Sequence, residues 1–533
     1  MIRRNALILA FLACATCAVP ARADEPVAPA AVAAKLADAI AALPAADTDP
    51  EKKDREALAA FYAGRKDEPL WIADTGLTPK ATALIEAFRS SDAYGLSAAD
   101  FKLPADGPTL ATPEQQAAAE LQLTTAALAY ARFARGGRIA DPISMLSPNL
   151  DRRPQWIDPK AVLDGLAAAP DAGAYLVGLN PKHEQFSRLQ KLFAVELEKS
   201  GRKGKLSTLA KHLRANMEMW RWLPDDMGTQ TGVPGKGMYV FNNVPEFMQY
   251  VYKDGEVVRA EKIVVGQLDK QSAIFSRPLK YVVLRPLWRV PESIEVNEIW
   301  PGLIKGGRVM AHFGMEIQTK DGKTVDWHKI DWATTDIRQY DVVQPPGPLS
   351  VLGHVKFSFP SQHTIYMHDT PDKYMFRSSV RTLSHGCLRV QNPMALAEMI
   401  LKEDKGWDAG KVAELDKSGP LNNEVPIDKR IPIHIVYFTA WVDGDGKLTN
   451  FRDIYGHEKR VTQALDGQWD KIDHGKDDQA PVVANFDPAA LAARRSGALA
   501  AVDDPFAGGK PGKRGKGGNG GGLGDLLSAL FGG

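Results

Sequence analysis

The sequence contains very little cysteine. Only Cys14, Cys17 and Cys387 occur in 533 residues, so at most one disulfide could form within the chain. Neither charge is in excess, with 66 Lys and Arg against 65 Asp and Glu, which argues against nucleic acid and other polyanionic partners. Beyond the N-terminus, the chain lacks the run of about 20 apolar residues that a membrane-spanning helix needs. The length instead allows about three domains, at roughly 150 residues per domain.

The N-terminus has the pattern of a secretory signal peptide, which we place at residues 1–23. Two arginines precede an apolar run at 6–19 that is too short to span a membrane, and a small-x-small cleavage pattern follows at 21–23. We therefore expect an exported protein whose mature chain begins at Asp24.

Cleavage would remove Cys14 and Cys17, which leaves Cys387 as the single thiol of the exported chain. An unpaired cysteine in an exported protein indicates intermolecular pairing or a reactive thiol, and a buried inert thiol is the remaining interpretation. The minor alternative for the N-terminus is a lipoprotein in which Cys14 carries the lipid. The preceding tripeptide, Phe11-Leu12-Ala13, fits a lipidation signal weakly.

The hydrophobic pattern predicts an α+β fold. Residues 24–223 are Ala-rich and carry helix-start signals, which predicts a helical domain. Residues 236–460 consist of apolar extended segments and turns, which predicts a mainly β domain. Within it, the polar, Trp-containing stretch at about 300–348 is predicted to be an insertion that covers a site. Residues 471–533 end in a Gly- and Lys-rich stretch and are predicted to form a flexible tail.

Cys387 lies in a segment that offers several reasons for a thiol to react. Gly386 would let the backbone approach a substrate closely, and backbone N–H groups there could face a developing negative charge. The reactive form is the thiolate, which needs a base or a positive neighbour. Four histidines precede it closely: His354, His363, His368 and His385.

His368 is our first choice for the base, because it ends the apolar strand 364–367, where a side chain is held rigidly and still reaches a cleft. His385 is the second choice, since it lies two residues before the thiol and, in an extended chain, on the same face. We expect His354 and His363 to be hydrogen-bonded structural residues.

Two segments around these residues together resemble the active-site signature of the YkuD-type L,D-transpeptidases: Met367-His368-Asp369-Thr370-Pro371 and Ser384-His385-Gly386-Cys387-Leu388-Arg389-Val390. The resemblance covers about 209–456 and is to the large periplasmic branch of the family. It implies an N-terminal helical scaffold domain, a YkuD-like β-sandwich catalytic domain with an inserted capping subdomain, and a periplasmic location.

The resemblance also implies roles for individual residues. Cys387 matches the nucleophile and His368 the general acid and base, whose imidazole the backbone of Asp369 would orient. Gly386 and Cys387 match the amides of the oxyanion hole, and His385 lines the same pocket.

Three matched residues, Asp369, Ser384 and Arg389, are expected to bind substrate. The fork of donors on Arg389 suits a peptide carboxylate, and a structural salt bridge is an equal alternative for it. The chain departs from the family at 348–351, which lacks the usual asparagine-containing turn. It also shows no separate peptidoglycan-binding module between 136 and 206, which leaves substrate localisation to the scaffold, the cap or the tail.

The function implied by the resemblance is a peptidoglycan L,D-transpeptidase that joins the third-position diaminopimelate residues of two stem peptides through a Cys387 thioester. Neither a metal nor a diffusible cofactor is needed, because the thiol supplies covalent catalysis. The same residues would serve an L,D-carboxypeptidase, an enzyme that attaches outer-membrane proteins to peptidoglycan, or a cysteine endopeptidase of wall peptides. A non-catalytic wall-binding scaffold with an inert thiol is the alternative without chemistry.

Overall fold

The computed structural model of the chain describes residues 29–46, 48–73, 76–104, 110–201, 205–228 and 236–496. The predicted signal peptide, with Cys14 and Cys17, lies outside the described residues, as do residues 497–533 of the predicted tail. No helix in the described part of the chain is long and apolar enough to cross a membrane.

The described part of the chain up to residue 228 is mainly helical. Its helices are α1 Pro29–Ala41, α2 Asp49–Gly64, α3 Pro79–Arg89, α4 Pro113–Gly136, α5 Pro142–Met145, α6 Pro159–Ala168, α7 Ala172–Val177, α8 Glu184–Lys199 and α9 Thr208–Trp220. Two short strands, β1 Ile72–Ala73 and β2 Gly76–Leu77, pair with each other. The start of α4 is a capping box, in which Thr112 and Gln115 each accept the other's backbone N–H at 3.2 Å.

Two compact units divide the chain. The first comprises residues up to 89, 99–130 and 158–177, and the second comprises 90–98, 131–157 and the residues from 178 on. Helices α8 and α9 therefore belong to the unit that contains the remaining strands. The indole of Trp220, at the end of α9, stacks on Phe438 with ring centroids 4.1 Å apart. The predicted boundary at 223 thus differs from the boundary between the two units, because residues from 178 on pack with the second unit.

A buried carboxylate organises the interior of the first unit. Both oxygens of Glu120 have donors, because the Leu70 amide and the Tyr62 hydroxyl bind one oxygen and the Trp71 amide binds the other at 2.8 Å. Burial raises the pKa of Glu120, and these hydrogen bonds oppose that rise.

The second unit holds the strands and the remaining helices. The strands are β3 Met238–Asn243, β4 Met248–Lys253, β5 Glu256–Gly266, β6 Ser276–Pro278, β7 Tyr281–Leu284, β8 Trp288–Arg289, β9 Glu316–Thr319, β10 Thr324–Val325, β11 Tyr340–Gln344, β12 Val355–Ser358, β13 Met367–His368, β14 Thr382–Ser384, β15 Leu388–Val390, β16 Asn423–Pro426, β17 Pro432–Val436, β18 Ala440–Val442 and β19 Leu448–Asn450. The helices are α10 Glu292–Ile294, α11 Trp300–Ile304, α12 Arg308–Phe313, α13 Pro393–Lys405, α14 Ala409–Ser418, α15 His457–Leu465 and α16 Pro488–Ser496.

Eleven of these strands form one curled sheet. Its order is β16-β7-β12-β13-β15-β5-β4-β3-β17-β6, and β14 pairs with β5 beside this path. The predicted α+β class, with a helical region followed by a strand-rich domain, is confirmed. The core of the unit lies between this sheet and helices that include α8, α9 and α13.

The cap, residues 288–344, is a second small sheet with its own core. The sheet has the order β10-β9-β11-β8, and α10, a π-helical turn at Glu295–Ile299, α11 and α12 pack with it. Buried side chains such as Trp300, Phe313 and Ile317 fill its interior. The insertion expected at about 300–348 therefore begins earlier in the structure, because β8 at Trp288 is already a strand of the cap sheet.

The strap, residues 476–492, is part of the predicted flexible tail and is packed on the rest of the unit. The Phe486 ring lies 5.4 Å from the Trp300 ring, and the Val482 carbonyl accepts from Arg338 at 3.1 Å. Leu491 is also packed against the cap core. The prediction of a flexible tail from residue 471 is wrong for this segment, because its scattered apolar side chains cover the cap.

Candidate active site

The strands β12, β13 and β15 carry the first part of the site on one face. Lys356 pairs with His368, and His368 pairs with Arg389. Met367 and Leu388 pair on the same strands and are fully buried in the core. Because successive side chains of a strand alternate between faces, the three polar residues project together from the face opposite this core.

Tyr366 and Cys387 lie two residues before His368 and Arg389, respectively, so their side chains lie on the same face as those residues. The Leu388 amide donates to the Tyr366 carbonyl at 3.1 Å, which extends the ladder to these two residues. The two-residue period then places Tyr366 beside His368, with their rings 5.7 Å apart. The Tyr366 side chain also contacts the Cys387 thiol. The fold therefore brings the predicted nucleophile and the predicted base to one surface.

His368 is a buried, neutral imidazole with a defined tautomer. Its Nδ1 donates to the carbonyl oxygen of Asp369, and a carbonyl can only accept, so Nε2 is the nitrogen with the free lone pair. Burial, and secondly the positive charge of Arg389, lowers the pKa of His368 to about 3. At neutral pH the ring is therefore uncharged and can accept a proton at Nε2.

Cys387 is a protonated thiol in the resting protein. Burial raises the pKa of the Cys387 thiol to about 11, although hydrogen bonds from Tyr366 and the charges of Lys356 and Arg389 stabilise the thiolate. The thiol and the imidazole are thus both neutral at pH 7. Such a pair can react when His368 takes the proton as the sulfur attacks a carbonyl carbon.

The backbone carbonyl of Asp369 accepts a hydrogen bond from His368, and its carboxylate is hydrogen-bonded to neighbouring residues. The carboxylate accepts from the Thr370 amide at 2.7 Å, from the His354 amide at 3.0 Å and from Lys373. Gly353 lies directly against it, because a Cβ at this residue would lie 2.3 Å from the Asp369 carboxylate. The backbone of Asp369 therefore lies where it can orient His368, as the resemblance implied, and its carboxylate, which was expected to bind substrate, is bonded within the fold.

The catalytic loop, residues 384–387, is held by two serines. Ser384 Oγ donates to the Cys387 carbonyl at 2.6 Å and accepts from the Gly386 amide at 3.2 Å. Ser272 Oγ donates to the Gly386 carbonyl at 2.6 Å. Gly386 has φ of +111°, a backbone conformation that side chains oppose, so this turn requires glycine. Ser384, predicted to bind substrate, instead bonds within the loop in this structure.

His385 is bound by a carboxylate from the cap. Its Nε2 lies 2.8 Å from Glu298 Oε1, and Lys270 Nζ lies 2.7 Å from the same oxygen. Burial alone would raise the pKa of Glu298, but His385 and Lys270 lower it overall. The carboxylate is therefore ionised and joins the cap to the catalytic loop.

Arg389 is buried and forms an ion pair. Its guanidinium lies 3.3 Å from the Asp372 carboxylate, and it also contacts Thr370 Oγ1 at 3.3 Å and Met375 Sδ at 3.0 Å. The residue is 5% exposed. Of the two alternatives for this arginine, the structure shows the salt bridge.

His354 and His363 are each paired with aspartates. His354 is exposed and lies 3.0 Å from Asp416. The His363 side chain is fully buried, 3.0 Å from Asp478 and 3.4 Å from Asp151. Burial lowers the pKa of His363, but these two carboxylates outweigh it and raise the pKa to about 9.

Comparisons with known proteins agree with this geometry. Residues 237–412 match the family model of the L,D-transpeptidase catalytic domain, YkuD, and residues 56–192 match the model of a scaffold domain. Residues 237–412 therefore form a catalytic domain of the YkuD L,D-transpeptidase type. A Haemophilus influenzae protein named "Putative L,D-transpeptidase" is 27% identical over 429 residues, which cover 78% of this chain and 80% of that protein.

A solved structure, an L,D-transpeptidase from Mycobacterium smegmatis, was also matched. It is 12% identical, with a TM-score of 0.18, over 37% of this chain and 59% of that one. A score this low supports no conclusion about the fold.

Four residues of the YkuD domain that border the site were not identified from the sequence. Lys356 and Tyr366 could have been found from strand alternation around His368, since each shares its face. Ser272 and Glu298 carry no such signal, because 114 residues separate Ser272 from Gly386 and 87 separate Glu298 from His385.

Proposed function

We propose that the protein is a peptidoglycan L,D-transpeptidase that links the third-position diaminopimelate residues of two stem peptides through a thioester on Cys387. The observation that carries the proposal is the shared sheet face of Cys387 and His368, with the imidazole proton held on Nδ1 by Asp369. A thiol and a neutral imidazole on one face of neighbouring strands support acyl transfer through a nucleophile and a base. The match to the L,D-transpeptidase catalytic domain supports the choice of substrate.

In the first half of the reaction, the Cys387 sulfur attacks the carbonyl carbon of the third residue of a tetrapeptide stem. The thiol proton passes to His368 Nε2. The tetrahedral intermediate collapses as the C–N bond to the terminal D-alanine breaks, and His368 returns the proton to the departing amine. The product of this half is a thioester and free D-alanine.

In the second half, the side-chain amine of a diaminopimelate residue on a neighbouring stem attacks the thioester. His368 takes the amine proton and returns it to the sulfur as the C–S bond breaks. A new amide bond and the free thiol result. Water as the acceptor would give a carboxypeptidase, and an amine of an outer-membrane protein would give an anchoring enzyme.

We assign the oxyanion of the intermediate to the Cys387 amide. The Gly386 amide, the other candidate from the sequence, already donates to Ser384 Oγ. The Cys387 amide has no acceptor within the described part of the chain. One preorganised donor of this kind contributes about 10²–10³-fold to the rate. We also propose a periplasmic location, on the basis of the signal-peptide pattern at residues 1–23.

The test is mass spectrometry of a disaccharide-tetrapeptide incubated with the mature protein and with Cys387→Ala. We expect a protein adduct at Cys387, release of D-alanine and a cross-linked dimer with the wild type alone. Dimers formed equally by both proteins would contradict the mechanism.

The same experiment separates the alternatives. Tripeptide without dimer indicates a carboxypeptidase, and a product linked to an added outer-membrane lipoprotein indicates an anchoring enzyme. Cleavage of preformed dimers into shorter stems indicates an endopeptidase. A Cys387 thiol that gives neither adduct nor product supports a wall-binding scaffold.

A further inference from the structure

Glu298 is a buried carboxylate of the cap that lies at the catalytic loop. Its side chain is 9% exposed, and one oxygen, Oε1, accepts from both His385 Nε2 and Lys270 Nζ. The other oxygen, Oε2, is buried without a hydrogen-bond partner within the described part of the chain. The contrast with Glu120, whose two oxygens both have backbone donors, shows that Glu298 is not anchored by the backbone around it.

The bond to Glu298 defines the orientation of His385. A carboxylate only accepts, so His385 Nε2 carries a proton. The His385 side chain is 17% exposed, and its hydrogen bond to Glu298 holds the imidazole ring in place.

Lys270 joins the same carboxylate to the segment that supports the catalytic loop. This segment, residues 270–272, includes Ser272, which donates to the Gly386 carbonyl. The backbone of this segment also lies against Gly386, since a Cβ added at Gly386 would lie 3.3 Å from the Gln271 carbonyl oxygen. The cap, the supporting segment and the catalytic loop therefore meet at Glu298.

The local backbone of Glu298 is unusual. It lies in the π-helical turn Glu295–Ile299, between α10 and α11. Such turns are rare and recur at functional sites, because the wider turn aims side chains differently from an α-helix. Here the turn directs a charged side chain at a loop 87 residues away in sequence.

We propose that Glu298 is a positioning residue: by holding His385 from the cap, it sets the catalytic loop in its reactive arrangement, so that reaction at Cys387 depends on the cap lying against that loop. The inference rests on the proposed function of Cys387. It makes one contact of the cap, that of Glu298 with His385, a condition for reaction at Cys387.

The first test compares Glu298→Ala with Glu298→Gln in steady-state turnover of disaccharide-tetrapeptide. We expect Glu298→Ala to lower kcat about tenfold or more, with KM within about twofold, because a hydrogen bond to a charged group that orients the loop is lost. Glu298→Gln should retain kcat within about threefold, since its carbonyl oxygen can replace Oε1 and its amide group occupies the site of Oε2. A glutamine variant as slow as the alanine variant would overturn the proposal.

A double-mutant comparison separates positioning from general damage. If Glu298 acts through His385, the double variant E298A/H385A is no slower than the slower single variant. Fully additive losses would overturn the proposal. The matched control is Glu292→Ala, which removes an exposed carboxylate of the same cap segment that bonds to Arg338 at 3.2 Å and should leave kcat unchanged.

Nitrogen NMR of His385 at pH 8 tests the inference without any substrate. We expect a hydrogen-bonded Nε2–H that exchanges slowly with solvent in the wild type and in Glu298→Gln, and loss of this protected Nε2–H signal in Glu298→Ala. A Nε2–H that stays equally protected in Glu298→Ala would overturn the inference. If the wild type does not turn over stem peptides, the proposed function fails, and the NMR result still decides whether Glu298 orients His385.

Discussion

Two histidines that lie close together in the sequence, His363 and His368, occupy opposite electrostatic environments. His363 is buried between the carboxylates of Asp151 and Asp478, and its pKa is raised to about 9. His368 is buried beside Arg389 with only a backbone carbonyl as acceptor, and its pKa is lowered to about 3. Burial disfavours the charged form in both, so the presence or absence of carboxylate partners decides the charge.

The difference separates a histidine in an ion-pair network from the histidine that we propose as the base. A charged His363 joins the strap to residues 131–157 through its two aspartates. A neutral His368 keeps Nε2 free to take a proton. The following predictions test this contrast, beginning with the largest expected effect.

Replacing His368 by alanine should reduce acylation of Cys387 by a stem peptide about 10²–10⁴-fold, the range for loss of a general base. Alkylation of the same thiol by iodoacetamide at pH 7 should change less than about threefold, because the thiol is protonated with or without the imidazole. Both rates are measured by mass spectrometry of the intact protein. The control is His354→Ala, whose histidine is exposed and should not affect either rate.

If alkylation and acylation fell equally in His368→Ala, Cys387 and His368 would form an ion pair in the resting enzyme. That outcome would remove the electrostatic contrast with His363.

The iodoacetamide rate of the wild type should rise about tenfold per pH unit between pH 7 and pH 9. The pKa of Cys387 is about 11, so the thiolate fraction grows in this proportion over the whole interval. Stopped alkylation reactions at several pH values measure the slope, and Cys387→Ala gives the background. A rate that is already constant at pH 7 would show a low thiol pKa.

Gly353→Ala should lower the free energy of unfolding by about 2–3 kcal/mol and reduce turnover. Gly353 has φ of +58°, and the added Cβ would collide with the carboxylate of Asp369. The backbone carbonyl of the same residue holds His368. The matched control is Gly347→Ala, where a Cβ meets no atom within 4 Å. Denaturant titration and turnover assays measure the two effects, and equal behaviour of both variants would contradict the role of this contact.

The smallest effect concerns His363 and stability at alkaline pH. Since the folded pKa of His363, about 9, exceeds the unfolded value of about 6.5, its stabilisation is complete below pH 6.5 and disappears as the pH rises through 9. We expect the wild type to lose about 1–2 kcal/mol over this interval through His363, because solvent partly screens the ion pair with Asp478. His363→Gln should flatten the decline, and His354→Gln should leave it unchanged.

His368 should act on stability in the opposite pH range. Its folded pKa, about 3, lies below the unfolded value, so stability falls as the pH drops from 6.5 toward 3. Thermal unfolding between pH 4 and pH 10 should therefore show that His363→Gln is less stable than the wild type below about pH 9, that its stability declines less between pH 6.5 and pH 9, and that the slope below pH 6.5 is the same in both proteins. A changed slope below pH 6.5 would mean that the two histidines are coupled.

Much of the candidate site could be predicted from the sequence, because its chemistry is local. Cys387, Gly386 and His385 are neighbours, and His368 ends a strand whose apolar residues can be recognised. The strap could not be predicted, because Phe486 and Leu491 are too widely spaced to show a pattern before the cap core that they cover is known. The cap boundary was missed for a similar reason, since β8 is only two residues long.

The sequence by itself determined that a helical region precedes a strand-rich domain, and it determined the motif around Cys387, because these depend on periodicity and on residues adjacent in the chain. The tertiary structure decided the rest. It made His368 neutral and His363 charged, it assigned Arg389 to a salt bridge, and it brought Glu298 to His385. Each of these outcomes depends on burial and on partners distant in sequence, and the charge of a buried group is defined only when its neighbours are in place.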